Sequence, residues 1–139
     1  MNHLEHAKQV AMTAHEGQSD KIGRPFLEHC RRVAAAVSGD AAKTVAYLHD
    51  VVEKGNHWTL DRLREEGFAR DTIVAVDAMT RRTAETLEDF TRRAMSNPLA
   101  RPVKQADLED NLWQCLEIGE NPEKYERGLE IVALEFERR

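Results

Sequence analysis

Apolar side chains recur at helical spacing along almost the whole chain, and alternating strand patterns are nearly absent. One clear stripe is formed by Phe26, Cys30, Val33 and Val37. Capping residues and proline or glycine punctuation divide the pattern into segments. The predicted helices begin at or just after Asn2, Pro25, Asp40, Thr59, Asp71, Thr86, Asn97-Pro98 and Asn121-Pro122. The pattern therefore predicts an all-α bundle of about seven or eight helices.

The third predicted helix, from Asp40 to Gly55, contains an adjacent pair of polar residues in an apolar run. His49 and Asp50 lie between Leu48 and Val51, so burial would remove water from both side chains and would require partners for them. Glu53 follows one turn later on the same predicted face. The segment thus offers a nitrogen ligand, a carboxylate ligand and a second carboxylate nearby.

Two further residues could complete a metal site. His29 lies at the edge of the second helix's apolar stripe, and Asp107 lies among apolar neighbours in a long late helix. Two imidazoles and two carboxylates form a mixed nitrogen and oxygen set that suits Mn, Fe, Co, Ni, Zn or Mg. Spacing alone leaves a second interpretation open, in which these residues are a hydrogen-bonded structural cluster without a metal.

The order His29, His49-Asp50, Asp107 resembles that of HD-domain metal-dependent phosphohydrolases. The resemblance is closest to the RelA/SpoT-type (p)ppGpp hydrolase domain and the small alarmone hydrolases, and it runs from about Ala11 to Asn111. The matching segments are Ala14–Gln18, Lys21, Gly23, Pro25, His29, His49–Glu53, Met79–Arg81 and Val103–Asn111.

The resemblance implies a metal held by His29, His49, Asp50 and Asp107, with manganese expected first. It implies that metal-activated water attacks phosphorus, and that Glu53 accepts a proton from this water or orients it. The other interpretation of Glu53 is a solvated residue at a helix end. The candidate substrate-binding residues are Lys21, Arg81, Lys104 and Asn111. The other interpretation is that these residues belong to solvated helix faces.

Three positions depart from the RelA/SpoT-type pattern. Lys54 stands where an acidic residue usually follows the glutamate. In the opening loop, Asp20 replaces an arginine that would pack on a guanine base, and Ile22 replaces a serine. The expected function is hydrolysis of a nucleotide or related small phosphorylated compound, with (p)ppGpp among the candidates. The alternatives are a nucleoside monophosphate phosphatase and a non-catalytic module that binds a nucleotide or a metal.

Composition narrows the class of protein. We expect the 139 residues, 41% of them hydrophobic, to form one domain spanning residues 1–139. The formal net charge of −5 argues against a nucleic acid polymer as partner. Cys30 and Cys115 lie at apolar helical positions and are expected to be buried reduced thiols. No membrane span or signal peptide is expected, which predicts a cytoplasmic protein. The sequence does not decide between a monomer and a homo-oligomer.

Overall fold

The structure is a computed structural model and describes residues 2–138. It is all-α, which confirms the predicted fold class; one isolated bridge, between Ser19 and Pro25, is the only extended pairing found in that range. The described residues form nine helices: α1 His3–Ala14, α2 Phe26–Ala35, α3 Asp40–Leu48, α4 Val51–Lys54, α5 Leu60–Glu65, α6 Arg70–Ala78, α7 Leu87–Met95, α8 Ala100–Ile118 and α9 Glu123–Glu137.

Side-chain caps set several of the helix starts where the sequence predicts them. The side chains of Asn2, Thr59 and Thr86 accept hydrogen bonds from backbone N–H groups three residues later. The Asn97 side chain accepts from the N–H groups of Leu99 and Ala100, at the start of α8. These bonds satisfy N–H groups that have no partner within the first helical turn.

The third predicted helix is interrupted, which is why there are more helices than expected. α3 ends at Leu48, and Asp50 leaves helical geometry with φ −105° and ψ 1° before α4 begins at Val51. On a continuous helix, neighbouring side chains diverge by about 100°. The break allows the Asp50 carboxylate to approach His49 Nε2 to 3.0 Å. The interruption therefore brings two adjacent polar side chains together.

Helices α3 and α8 are the central elements of the bundle. α3 packs against α1, α2, α6 and α8, whereas α8 also contacts α2, α7 and α9. The main core includes the predicted α2 stripe, and both cysteines are buried. Because α2 and α3 both pack on α8, polar side chains on these three helices can meet inside the bundle.

α9 closes one side of the bundle against α7 and α8. A smaller apolar cluster of Met95, Leu108 and Val132 joins the three helices. Gly128 permits this close approach, since a Cβ at this position would lie 2.8 Å from Leu108 Cδ2. This close approach places Tyr125 and Arg127 beside a cavity between α7, α8 and α9.

The connection between α6 and α7 is held by an arginine–glutamate pair. Arg93 donates from Nε and Nη2 to the two carboxylate oxygens of Glu85, both at 2.8 Å, and also to the carbonyls of Asp77 and Thr80. The Arg93 guanidinium lowers the pKa of Glu85 to about 2. The backbone carbonyl of Glu85 in turn accepts from the Arg81 guanidinium.

We expect Glu85→Gln to destabilise the fold near pH 7 by about 1–2 kcal/mol, because a charged, paired acceptor is lost. The folded-state pKa lies below the ordinary value of 4.5, so the contribution of Glu85 is complete above pH 4.5 and disappears as the pH falls through about 2. Urea unfolding at pH 7 and at pH 2.5 measures the change. The difference between wild type and variant should shrink in acid, with exposed Glu65→Gln as control; a difference independent of pH would contradict this role.

Candidate metal centre

Four side chains from three parts of the bundle converge below the cavity. His29 comes from α2, His49 and Asp50 from the break between α3 and α4, and Asp107 from α8. One ligand atom of each lies within 4.8 Å of every other. The structure thus brings together the four residues that the sequence singles out, and their role as metal ligands stays a prediction.

The Nε2 atoms of both imidazoles face the same two carboxylate oxygens. His49 Nε2 lies 3.0 Å from Asp50 Oδ2 and 3.2 Å from Asp107 Oδ1. His29 Nε2 lies 3.1 Å from Asp107 Oδ1 and 3.7 Å from Asp50 Oδ2. Ligands at about 2.0–2.2 Å from a shared ion are separated from one another by roughly 3–4 Å. The spacing of these atoms therefore fits a single ion.

Both imidazoles have their other ring nitrogen engaged. His29 Nδ1 lies 2.6 Å from Asp110 Oδ2, and His49 Nδ1 contacts the Ala46 carbonyl oxygen. Since both partners are acceptors, each Nδ1 carries the proton and donates it. With Nδ1 as the donor, Nε2 is the nitrogen that faces the two carboxylates, and it would bind a metal after releasing its proton, as in the carboxylate–histidine–metal arrangement.

The electrostatics of the cluster call for a cation. Burial alone would lower the pKa of both imidazoles, but the surrounding carboxylates raise it to about 11 for His29 and about 10 for His49. Burial alone would raise the pKa of Asp50 and Asp107, but the imidazoles hold both well below the usual range. One buried and one largely buried carboxylate, Asp50 and Asp107, require about two positive charges, and either two imidazolium protons or one divalent ion supplies them.

Asp107 is itself oriented by a neighbour on α8. The Asn111 side chain donates to both Oδ1 and the backbone carbonyl of Asp107, at 2.9 Å each. Lys21 Nζ donates to Asn111 Oδ1 at 2.6 Å. Asn111 therefore orients the Asp107 carboxylate, whereas Lys21 is connected to that carboxylate only through Asn111.

Above the cluster lies a cavity of about 400 Å³. Asp50, Asp107 and Glu53 line it, while His29 and His49 are buried behind them, 2% and 1% exposed. Burial of the Glu53 carboxyl and the nearby Asp50 raise the pKa of Glu53. The cavity is rich in cationic side chains although the chain is acidic overall: these are Lys21, Lys54, Arg81, Lys104, Lys124 and Arg127.

Lys104 and Arg81 occupy different positions in the cavity wall. Lys104 is buried, and its Nζ lies 3.8 Å from the centroid of the Phe90 ring. Arg81 is exposed and its guanidinium already donates to the Glu85 carbonyl. Both remain predicted substrate contacts, together with Lys21 and Asn111.

Three residues around His29 were not predicted from the sequence. Asp110 holds its Nδ1, and Gln114 and Arg32 both donate to Asp110. Asp110 and Gln114 lie one and two turns after Asp107 on α8. Helical spacing from a candidate ligand was the available signal for both, but nothing in the sequence indicated that Arg32 of α2 would reach them.

Comparison with known proteins supports the fold. No protein-family model matches the chain, and no curated protein matches it by sequence. A solved structure of a metazoan ortholog of SpoT, a protein that hydrolyses ppGpp and plays a role in starvation responses, superimposes with a TM-score of 0.70 at 22% identity. The match covers 96% of this chain and 83% of that one. The chain therefore has the helical fold expected from its resemblance to HD-domain hydrolases.

None of the helices in residues 2–138 combines the length and the apolar character needed to cross a membrane.

Lys104 provides a test of the cavity's electrostatics. Burial lowers the pKa of Lys104 although Asp107, Asp50 and Glu53 oppose the shift, so the fold disfavours its charge at pH 7. We expect Lys104→Met to raise the free energy of unfolding by about 1 kcal/mol in urea titrations at pH 7. The gain should shrink as the pH approaches 10.5, where the unfolded lysine also loses its proton.

Lys124→Met is the matched control, because Lys124 lines the same cavity and is exposed. It should change the stability by less than about 0.5 kcal/mol. A loss of stability in Lys104→Met would show that the carboxylates stabilise the ammonium more than burial disfavours it.

Proposed function

We propose that this protein is a metal-dependent phosphohydrolase that acts on a nucleotide or a related small phosphorylated compound, with (p)ppGpp among the candidates. The observation that carries the proposal is the convergence of His29, His49, Asp50 and Asp107 on one point at the floor of a cationic cavity. The fold shared with a ppGpp-hydrolysing protein supports the same class of reaction.

In this proposal His29 and His49 would hold a divalent ion through Nε2, and Asp50 and Asp107 would hold it through a carboxylate oxygen. Manganese is the first candidate, and Fe, Co, Ni, Zn and Mg suit the same donor set. The ion, when bound, would acidify a water molecule and polarise a phosphoryl oxygen. Asn111 keeps the Asp107 carboxylate turned toward the site.

Glu53 is the proposed general base. It lines the cavity on α4, one helical turn after Asp50, so its carboxylate can take a proton from a water that attacks phosphorus. Lys104 and Lys21 are the proposed contacts to phosphate oxygens, because both ammonium groups belong to the cavity wall. Their charges would balance the negative charge that accumulates as the phosphorus ester is cleaved.

The base of a nucleotide would have to be recognised without the usual guanine-packing arginine. Asp20 occupies that position, and its side chain is fully buried, so it does not reach the cavity. Tyr125 and Phe90 are the aromatic side chains that line the cavity and could pack against a base. These two rings support a nucleotide as the proposed substrate, but neither ring is specific for guanine.

The test is hydrolysis of a panel of ppGpp, nucleoside triphosphates and nucleoside monophosphates by purified protein supplied with Mn²⁺. We expect metal-dependent release of phosphate or pyrophosphate, abolished in His49→Ala. Glu53→Gln should retain the metal and lose about 10²–10⁴-fold in rate. Glu65→Gln, which removes an exposed carboxylate on α5, should keep the full rate.

Each other outcome identifies an alternative. Turnover of monophosphates alone would indicate a nucleoside monophosphate phosphatase. Thermal stabilisation by metal and nucleotide without turnover would indicate a binding module, with Lys54 as the residue to examine. Indifference to metal and to chelators would contradict the proposal, and full activity of Glu53→Gln would exclude Glu53 as the base.

A further inference from the structure

Arg32 connects two carboxylates that lie far apart in the sequence. Its Nε donates to Asp110 Oδ1 at 2.7 Å, and its Nη2 donates to Asp110 Oδ2 at 3.2 Å and to Asp20 Oδ2 at 2.8 Å. The guanidinium carbon also lies 5.1 Å from the centroid of the Trp113 ring. Arg32 does not line the cavity. Its guanidinium therefore pairs with two protein carboxylates away from the cavity.

Asp20 organises the segment between α1 and α2. Its Oδ1 accepts from the backbone N–H groups of Ile22 and Arg24, at 3.2 and 2.9 Å, and its side chain is 0% exposed. We call residues 18–24 the front loop. One oxygen of Asp20 closes this loop while the other pairs with Arg32, so Asp20 joins the loop to α2.

Gln114 makes a second connection between the same two places. Its Oε1 accepts from the backbone N–H of Lys21 in the front loop, and its Nε2 donates to Asp110 Oδ2, both at 2.8 Å. Gln114 is 1% exposed. The front loop is thus tied to Asp110 by two routes, one through Arg32 and one through Gln114.

Asp110 is the acceptor for His29 Nδ1 at 2.6 Å. We propose that Arg32 and Gln114 are positioning residues that fix the Asp110 carboxylate, and through it the His29 imidazole, so that metal affinity and the order of the front loop are coupled. The inference rests on the proposed metal centre. It assigns Asp20 a role that its position in the sequence does not suggest, namely support of a metal ligand from a loop.

The coupling works in both directions. A fixed Asp110 keeps His29 in the tautomer and ring orientation that bind metal, which lowers the entropy lost on binding. Conversely, a metal that holds His29 in place favours the bonded arrangement of Asp110, Arg32 and Asp20, because linkage between two sites is reciprocal. Lys21 lies on the same loop and lines the cavity, so ordering the loop also places a proposed phosphate contact.

Calorimetric titration of the full chain with Mn²⁺, and with Zn²⁺ in a second series, measures the coupling. We expect Arg32→Ala to weaken the metal by about 10–100-fold, the range found when partners of metal-binding histidines are removed. The metal affinity of Arg32→Lys should lie between those of wild type and Arg32→Ala, since one ammonium group cannot donate to two carboxylates as the guanidinium does. Asp20→Asn should lower the metal affinity when it is introduced alone, but it should lower the affinity little further when it is combined with Arg32→Ala. Exposed Arg31→Ala is the control for charge and should bind as wild type.

Hydrogen exchange of the front loop gives a readout separate from affinity and activity. Saturating Mn²⁺ should slow exchange of the Ile22 and Arg24 amides in wild type and not in Arg32→Ala. Circular dichroism establishes that each variant is folded; if Arg32→Ala is not, Arg32→Lys and Asp20→Asn give the answer. The inference would be overturned, while the proposed metal centre would stand, if the folded variants bound metal with wild-type affinity and Mn²⁺ slowed their amide exchange as it does in wild type. Failure of wild type to bind either ion would overturn it together with the proposed metal centre.

Discussion

The packing at the centre of the helical bundle depends on the placement of two carboxylates, Asp50 and Asp107, between the imidazoles of His29 and His49. Isolated carboxylates are costly to bury, so the cluster must be given positive charge and its hydrogen bonds must be completed. The helix break at Asp50 brings its carboxylate next to His49, and Asn111 and Asp110 orient Asp107 and His29. α3 and α8 must pack closely for these groups to meet, which makes the centre of the bundle and the centre of the site the same place.

Much of the fold could be predicted because the signals for it are local. Thr86 caps α7 as expected, since capping acts within a few residues. The break between α3 and α4 could not be predicted. Local preference favours a continuous helix from Asp40 to Lys54, whereas in the structure the break coincides with contacts of His49 and Asp50 to the distant Asp107 and His29. Functional sites are where local rules are expected to fail.

The candidate site divides in the same way. The four converging residues could be selected because their order resembles a known pattern, and the structure brings them together. Asp110, Arg32 and Gln114 were missed because their roles arise from contacts between α2, α8 and the front loop, 78 residues apart in the case of Arg32 and Asp110. Asp20 looked like the loss of a base contact, whereas the structure shows it as the buried closure of that loop.

The most direct measurement is anomalous diffraction at the manganese absorption edge from crystals of this protein grown with Mn²⁺. The proposed centre predicts one strong peak about 2 Å from His29 Nε2, His49 Nε2 and one carboxylate oxygen each of Asp50 and Asp107. The same crystals of His49→Ala should lack it. A peak elsewhere, or none between these four side chains in a crystal with the wild-type fold, would show that the cluster is a structural network of ion pairs and not a metal centre.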